Sequence, residues 1–267
     1  MMRIAPAAAP PDAPVSRLNP LAKLGAALAV SLAVLASIDP VTPTVALLGV
    51  LAALPFGGLH YGRLLRRGWP VLVGAVLVGS ANMLFAADQG GTTYLQLGPL
   101  HLSSVSLAVG GALGLRVLAI ALPGVVAFAT IDPTDLADCL VQQLRVPARF
   151  AIGALAAYRL LPLLADEWEL LGLARRARGI DGGANPLARF RLFAATMFAL
   201  LVGAVRRGGR LATAMDARGF DAGTPRTFAR RHPFTGADRL VLAFGVLLAA
   251  AALAVSIGTS TFVPLVG

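Results

Sequence analysis

Five apolar runs dominate the sequence: Leu21 to Ile38, Thr44 to Leu59, Trp69 to Ala87, Ser103 to Thr130 and Leu240 to Ile257. Lys23 and Arg116 are their only charged residues. Runs of this length are what a helix needs to cross about 30 Å of hydrocarbon. The second run is short and marked by glycine and proline. Charged residues are 13% of the chain, whereas a soluble domain carries about a quarter. A bilayer is the solvent implied.

Basic residues fix an orientation. Arg3, Arg17 and Lys23 precede or open the first run, and Arg63, Arg66 and Arg67 lie between the second and third. Sixteen more fall between Arg145 and Arg239, and none falls at 39–43, at 88–102 or after 258. Because Lys and Arg accumulate on the cytoplasmic side, the N-terminus is expected inside and the C-terminus outside a plasma membrane. The net charge of +10 sets orientation rather than binding nucleic acid. The expected fold is an all-α integral membrane protein with about five transmembrane helices and a helical cytoplasmic domain. Its segments are a disordered Pro/Ala-rich tail at 1–18, not a cleaved signal peptide, helices 1–4 at 19–131, cytoplasmic helices at 132–237 and a last span at 238–267.

Within 132–237, Asp132, Pro133 and Asp135 suit the N-cap, N1 and N3 positions of a helix. Pro147 opens a second helix, with Pro162 as a kink, that runs to Gly179. A third starts near Pro186. Its apolar stretch, Leu192 to Val205, is 14 residues, too short to cross and expected to pack on other helices or lie at the interface.

The words "ARRARGID" (174–181) and "AMDARGFD" (214–221) share Ala174/Ala214, Ala177/Ala217, Arg178/Arg218, Gly179/Gly219 and Asp181/Asp221. Each ends a helical stretch, with glycine where a C-terminus takes a left-handed residue. Arg178 and Arg218 then stand beside the negative end of a helix dipole. Each is a five-donor fork suited to carboxylates and to carbonyls at a partner's helix ends. Two such tips point to two like docking sites and a dimeric or pseudo-dimeric partner; ordinary helix-end chemistry is the other reading. Arg175 and Arg226 lie outside the shared word and serve as its controls.

The chain resembles the transmembrane (T) components of energy-coupling factor transporters. The resemblance runs from "RLNPLAKL" through "DPTDLADCLVQQLRVPARFAIGALAAYRLLPLLADEWELLGLARRARGID" to "AMDARGFD" and "TPRT". It implies that Ala177-Arg178-Gly179 and Ala217-Arg218-Gly219 end coupling helices, each entering a groove on one of two ATP-binding cassette ATPase subunits. It also implies a separate membrane S component that holds a vitamin or transition metal.

Other chemistries find little support. Lys23 is the only lysine, so no phosphate-binding loop ends in Gly-Lys-Ser/Thr, and ATP hydrolysis is expected of separate subunits. No cofactor, catalytic residue or metal site is expected. His60, His101 and His232 lack a second ligand at helical spacing, and Cys139 reads as a small buried hydrophobe. Asp166, Glu167 and Glu169 fit a solvated face or an Arg partner better than an acid/base pair. Gly110 and Gly114, with Ala108 and Gly111, form a close-packing face. It serves either internal packing or contact with the S component. A stand-alone secondary transporter or channel would need polar groups lining a pore, and a membrane-embedded enzyme would need a catalytic cluster.

Overall fold

The computed structural model describes residues 14–59, 61–85, 92–97, 100–183, 185–220 and 227–262. The helices are α1 (Pro20–Ala36), α2 (Val41–Ala53), α3 (Tyr61–Phe85), α4 (Ser104–Thr130), α5 (Pro133–Gln142), α6 (Ala148–Ala177), α7 (Pro186–Ala217) and α8 (Gly236–Gly258). They form two compact units. One consists of residues up to Cys139 together with those from His232 onward; the other is Leu140–Arg231. Helices dominate, as an all-α membrane fold requires.

In the first unit α3 packs on α4, and α1, α2, α4 and α8 gather around a core of Val30, Val34, Ala46, Ala119 and Ala252. The helix starts are written locally. Asn19 accepts the Leu21 amide at 2.9 Å and Pro20 follows it, so α1 begins where an orphan amide has a partner and a proline needs none. Ser103 and Ser106 form a reciprocal capping box for α4. Thr235 and Asp238 do the same for α8.

Five helices are long and apolar enough to cross a membrane: α3 from Gly68, α4, α6, α7 and α8. This is not the set of five expected from the apolar runs. Helix α1 has 17 residues and α2 has 13, about 26 and 20 Å at 1.5 Å per residue. The first run leaves the helix at Ser37. The second breaks at Leu54, where turns replace the helix and Gly58 takes φ of 72°. Conversely, α7 continues through its flanking arginines to reach 32 residues.

Two smaller differences concern the loops. The segment read as a polar loop contains an antiparallel pair of strands, β1 (Thr93–Leu97) and β2 (Leu100–Ser103). In the segment read as disordered, Pro14–Arg17 is a 3-10 turn. A Cβ on Gly57 would stand 2.5 Å from Cγ2 of Val15, so that turn lies directly on the end of α2. Residues 1–13 fall outside the described ones.

The Gly110/Gly114 face is occupied by α3 of the same chain, which is the internal packing of the two alternatives. A Cβ on Gly110 would lie 2.6 Å from the Gly79 carbonyl oxygen and 2.9 Å from the Met83 nitrogen; one on Gly114 would lie 3.2 Å from the Ala75 oxygen. These are backbone atoms and cannot swing away. Gly110→Leu is therefore expected to lower thermal stability by an overpacking cost of about 1–3 kcal/mol. Gly111→Leu, which meets only the Met83 methyl at 4.0 Å, should be tolerated. Unfolding temperatures in detergent check the pair.

Candidate functional site

Helices α6 and α7 follow one another in the second unit, joined by residues 178–185. Asn185 caps α7 by accepting the Leu187 amide at 3.0 Å, with Pro186 next. Pro162 lies inside α6, which continues past it. Side-chain contacts tie the two helices. Arg175 donates to the Leu192 carbonyl at 3.0 Å and to the Thr196 hydroxyl. Arg207 pairs with Glu167. Trp168 meets the Phe193 ring edge-on at 5.3 Å.

Both copies of the repeated word have the same backbone geometry. Arg178 is the C-cap of α6, and Gly179 follows at φ of 69°. The Gly179 amide donates to the Arg176 carbonyl at 2.9 Å and the Ile180 amide to the Arg175 carbonyl at 2.9 Å. Arg218 is the C-cap of α7, followed by Gly219 at φ of 66°. Gly219 donates to Asp216 at 2.9 Å and Phe220 to Met215 at 3.1 Å. This bond pair is the Schellman arrangement. It satisfies two of the carbonyls that a helix end otherwise leaves without donors. Ala177, Arg178, Ala217 and Arg218 are all exposed. Each tip therefore offers a guanidinium fork on a fixed turn, with alanine rather than bulk beside it. Asp221 and Arg226 lie outside the described residues.

Arg175 is not the neutral neighbour its position in the sequence suggested. Its guanidinium reaches across to α7, where Thr196 is buried. No local pattern marks this, because the partner is 21 residues away. Of the three acids read as a solvated or Arg-paired group, Glu167 takes the arginine partner. Asp166 and Glu169 line an open cleft of about 730 Å³ between α6 and α7, together with Trp168, Arg176 and Phe193.

His232 is less isolated than the sequence implied. Its Nε2 lies 3.6 Å from Asp135 and 3.7 Å from Asp138, carboxylates one turn apart on α5. His60 falls outside the described residues. Among the described residues no group of three or more His, Cys, Asp or Glu side chains is placed to hold a metal ion. Cys139 is fully buried. Burial, reinforced by the charges of Asp135 and Asp138, pushes its thiol up to about 11, so it stays protonated and unreactive at neutral pH. Arg116, the charge inside the fourth apolar run, donates to the Leu35 carbonyl at 3.1 Å. It serves the C-terminal end of α1, where a cation is stabilising.

Bundled apolar helices of membrane-crossing length define a multi-pass membrane protein. The family described as CbiQ, cobalt transport protein, matches residues 12–228, and the chain belongs to it. The energy-coupling factor transporter transmembrane protein EcfT 1 of Listeria monocytogenes is 32% identical over 190 residues, covering 68% of this chain and 69% of that protein. The EcfT protein of Heliobacterium modesticaldum is 29% identical over 240 residues, covering 87% and 89%. A putative ABC transporter ATP-binding protein of Bifidobacterium longum is 27% identical over 252 residues, 91% of this chain but 32% of that longer protein. The chain is thus a transmembrane component of the energy-coupling factor type, a transport subunit in kind.

A non-glycine residue held in the left-handed region costs roughly 1–2 kcal/mol. Gly179→Ala and Gly219→Ala should each fray one tip while leaving α6 and α7 together, whereas Arg175→Ala should loosen the pair. Amide hydrogen exchange is the check. Faster exchange is expected at 176–180 or 216–220 alone for the glycine changes, and across 168–200 for Arg175→Ala.

Proposed function

We propose that the chain is the coupling subunit of an ATP-driven importer for a vitamin or transition metal. It transmits motion from two ATP-binding cassette ATPase subunits to a substrate-binding S component. The observation that carries this reading is the duplicated helix end: one arginine fork on one turn geometry, written twice, fits two like sockets on two like subunits. The joining of a similar segment to the ATP-binding protein of Bifidobacterium longum supports a partnership with ATPases.

In this reading Arg178 and Arg218 each enter an ATPase groove and donate to carboxylates or helix-end carbonyls there. Residues 132–237 face the cytoplasm of a cell whose plasma membrane holds the rest, with the N-terminus inside and the C-terminus outside. The support is the distribution of arginines: α6 and α7 carry basic residues at both ends and at their junction. The ties through Arg175 and Glu167–Arg207 let the two tips move together, which is what coupling asks of them. Substrate is held by the S component, and ATP by the ATPases.

Losing one partner of a buried, hydrogen-bonded charge pair costs about 2–5 kcal/mol, a loss of ~30-fold or more in affinity. Arg178→Glu and Arg218→Glu should each impair transport, and the double variant should release the ATPases while still inserting in the membrane. Lysine at either position should be intermediate, because it keeps the charge and loses the planar fork. Arg210→Glu, exposed on α7 two turns before the tip, is the control and should be milder. Co-purification of ATPase with each variant reads the outcome. Full retention of ATPase by the double Glu variant would return both words to ordinary helix-end chemistry.

A further inference from the structure

Helix α5 is where the chain leaves the first unit. Pro133 to Cys139 belong to that unit, and Leu140 to Gln142 begin the second. The chain returns to the first unit at His232. The outgoing and returning segments are tied to each other on both sides of this boundary. Within the first unit, Nε2 of His232 lies 3.6 Å from Asp135 and 3.7 Å from Asp138. An imidazole that carries its second proton is drawn there to both carboxylates. Within the second, Nε2 of Gln142 donates to the Arg230 carbonyl at 2.7 Å.

The turn that follows α5 is stiff. Arg145 takes φ of 54°, in the left-handed region that favours glycine. The Val146 amide donates to the Leu140 carbonyl at 3.1 Å, and Pro147, whose ring fixes its own φ, opens α6. A non-glycine residue persists in such a conformation only where its surroundings over-determine it, and such outliers gather where shape serves function. The direction in which the chain passes from α5 into α6 is therefore set by the backbone itself.

On the other side, the same tie runs into the bundle. Asp135 and Asp238 supply the countercharge of Lys23, which donates to the Thr130 carbonyl at 3.0 Å. Asp238 also accepts the Asn19 amide at 2.6 Å. From Arg145 to Lys23 there is thus a continuous series of backbone turn, helix, ion pair and hydrogen bond, the kind of contiguous network that can carry a displacement between sites.

We propose that Gln142, Arg145 and His232 are positioning residues that pass a displacement of α6 and α7 to the polar knot at Lys23. The inference rests on the coupling role proposed above and adds the route by which motion leaves the coupling helices.

The test is amide hydrogen exchange on the assembled transporter, with and without a nonhydrolysable ATP analogue. In the unaltered assembly the analogue should change exchange at the tips, 176–180 and 216–220, and also at 19–24 and 236–241. In the Gln142→Ala/His232→Ala double variant the change at the tips should remain and the change at 19–24 and 236–241 should be lost. Arg145→Gly should do the same, because glycine takes this turn without strain and lets it flex. A purely structural role for these residues predicts that the nucleotide-dependent difference survives in both variants. A change that reaches 19–24 and 236–241 undiminished in either variant would overturn the proposal and leave the coupling role standing. Absence of any change at the tips of the unaltered assembly would contradict the coupling role, and this inference with it. If exchange at 19–24 is already raised without nucleotide in the double Ala variant, its fold is damaged, and Arg145→Gly alone decides.

Discussion

One buried ammonium organises the first unit. Lys23 enters from the start of α1, is 7% exposed, and donates to the carbonyl of Thr130 at the end of α4. The carboxylates of Asp135 and Asp238 supply its countercharge. Asp238 in turn accepts from the Asn19 amide and caps α8. The beginnings of α1 and α8 and the end of α4 are thus held at a single point, in surroundings where a charge without partners costs several kcal/mol. The far end of α1 has a matching device. Asp39 accepts from the Ser37 hydroxyl and from the Thr42 amide and hydroxyl at 2.7 and 2.9 Å. Burial pushes the Asp39 carboxyl up, but the hydrogen bonds outweigh it and hold the group below the usual carboxylate range. The Lys23 ammonium and the Asp39 carboxylate, at the two ends of α1, are thus satisfied within the protein, as a low-dielectric setting demands.

The two units are held together differently. The helices of the first are locked at their ends by polar knots and along α3 and α4 by glycines that bring backbones into contact. Helices α6 and α7 are tied by side-chain contacts such as Arg175–Thr196 and Glu167–Arg207 and display large exposed apolar residues such as Phe190, Phe198, Leu201 and Val205. Their ends owe their shape to backbone hydrogen bonds and a left-handed glycine rather than to neighbours. A tip built this way keeps its form while what surrounds it changes, as the proposed docking role requires.

What could be read in the sequence was whatever is encoded locally. The helix expected near Pro186 starts there, Asp132 took up the Thr134 amide at 2.7 Å, and both glycines took the left-handed turn. Hydropathy found the membrane, but the five helices of crossing length are not the five apolar runs. The extent of α1 and α2 is decided by where Ser37 and Leu54 leave the helix, and a hydropathy window does not see this. Contacts between distant segments left no trace. Arg175 looks like one more arginine in a basic word, and only tertiary packing makes it the tie to Thr196. His232 meets Asp135 and Asp138 across almost a hundred residues. The strand pair at 93–103 falls in a stretch whose polar residues signalled a loop and nothing more.

The equivalence of the two tips is best tested in the assembled transporter by placing a photo-crosslinking amino acid at position 180 and, separately, at position 220. These residues follow the two glycines and share one position in the Schellman turn. Each should crosslink to an ATPase subunit, and both should mark the same groove peptide, or matching peptides where the two ATPases differ. Crosslinks from either position only to membrane subunits, or to unrelated surfaces of the ATPases, would contradict the paired-docking role.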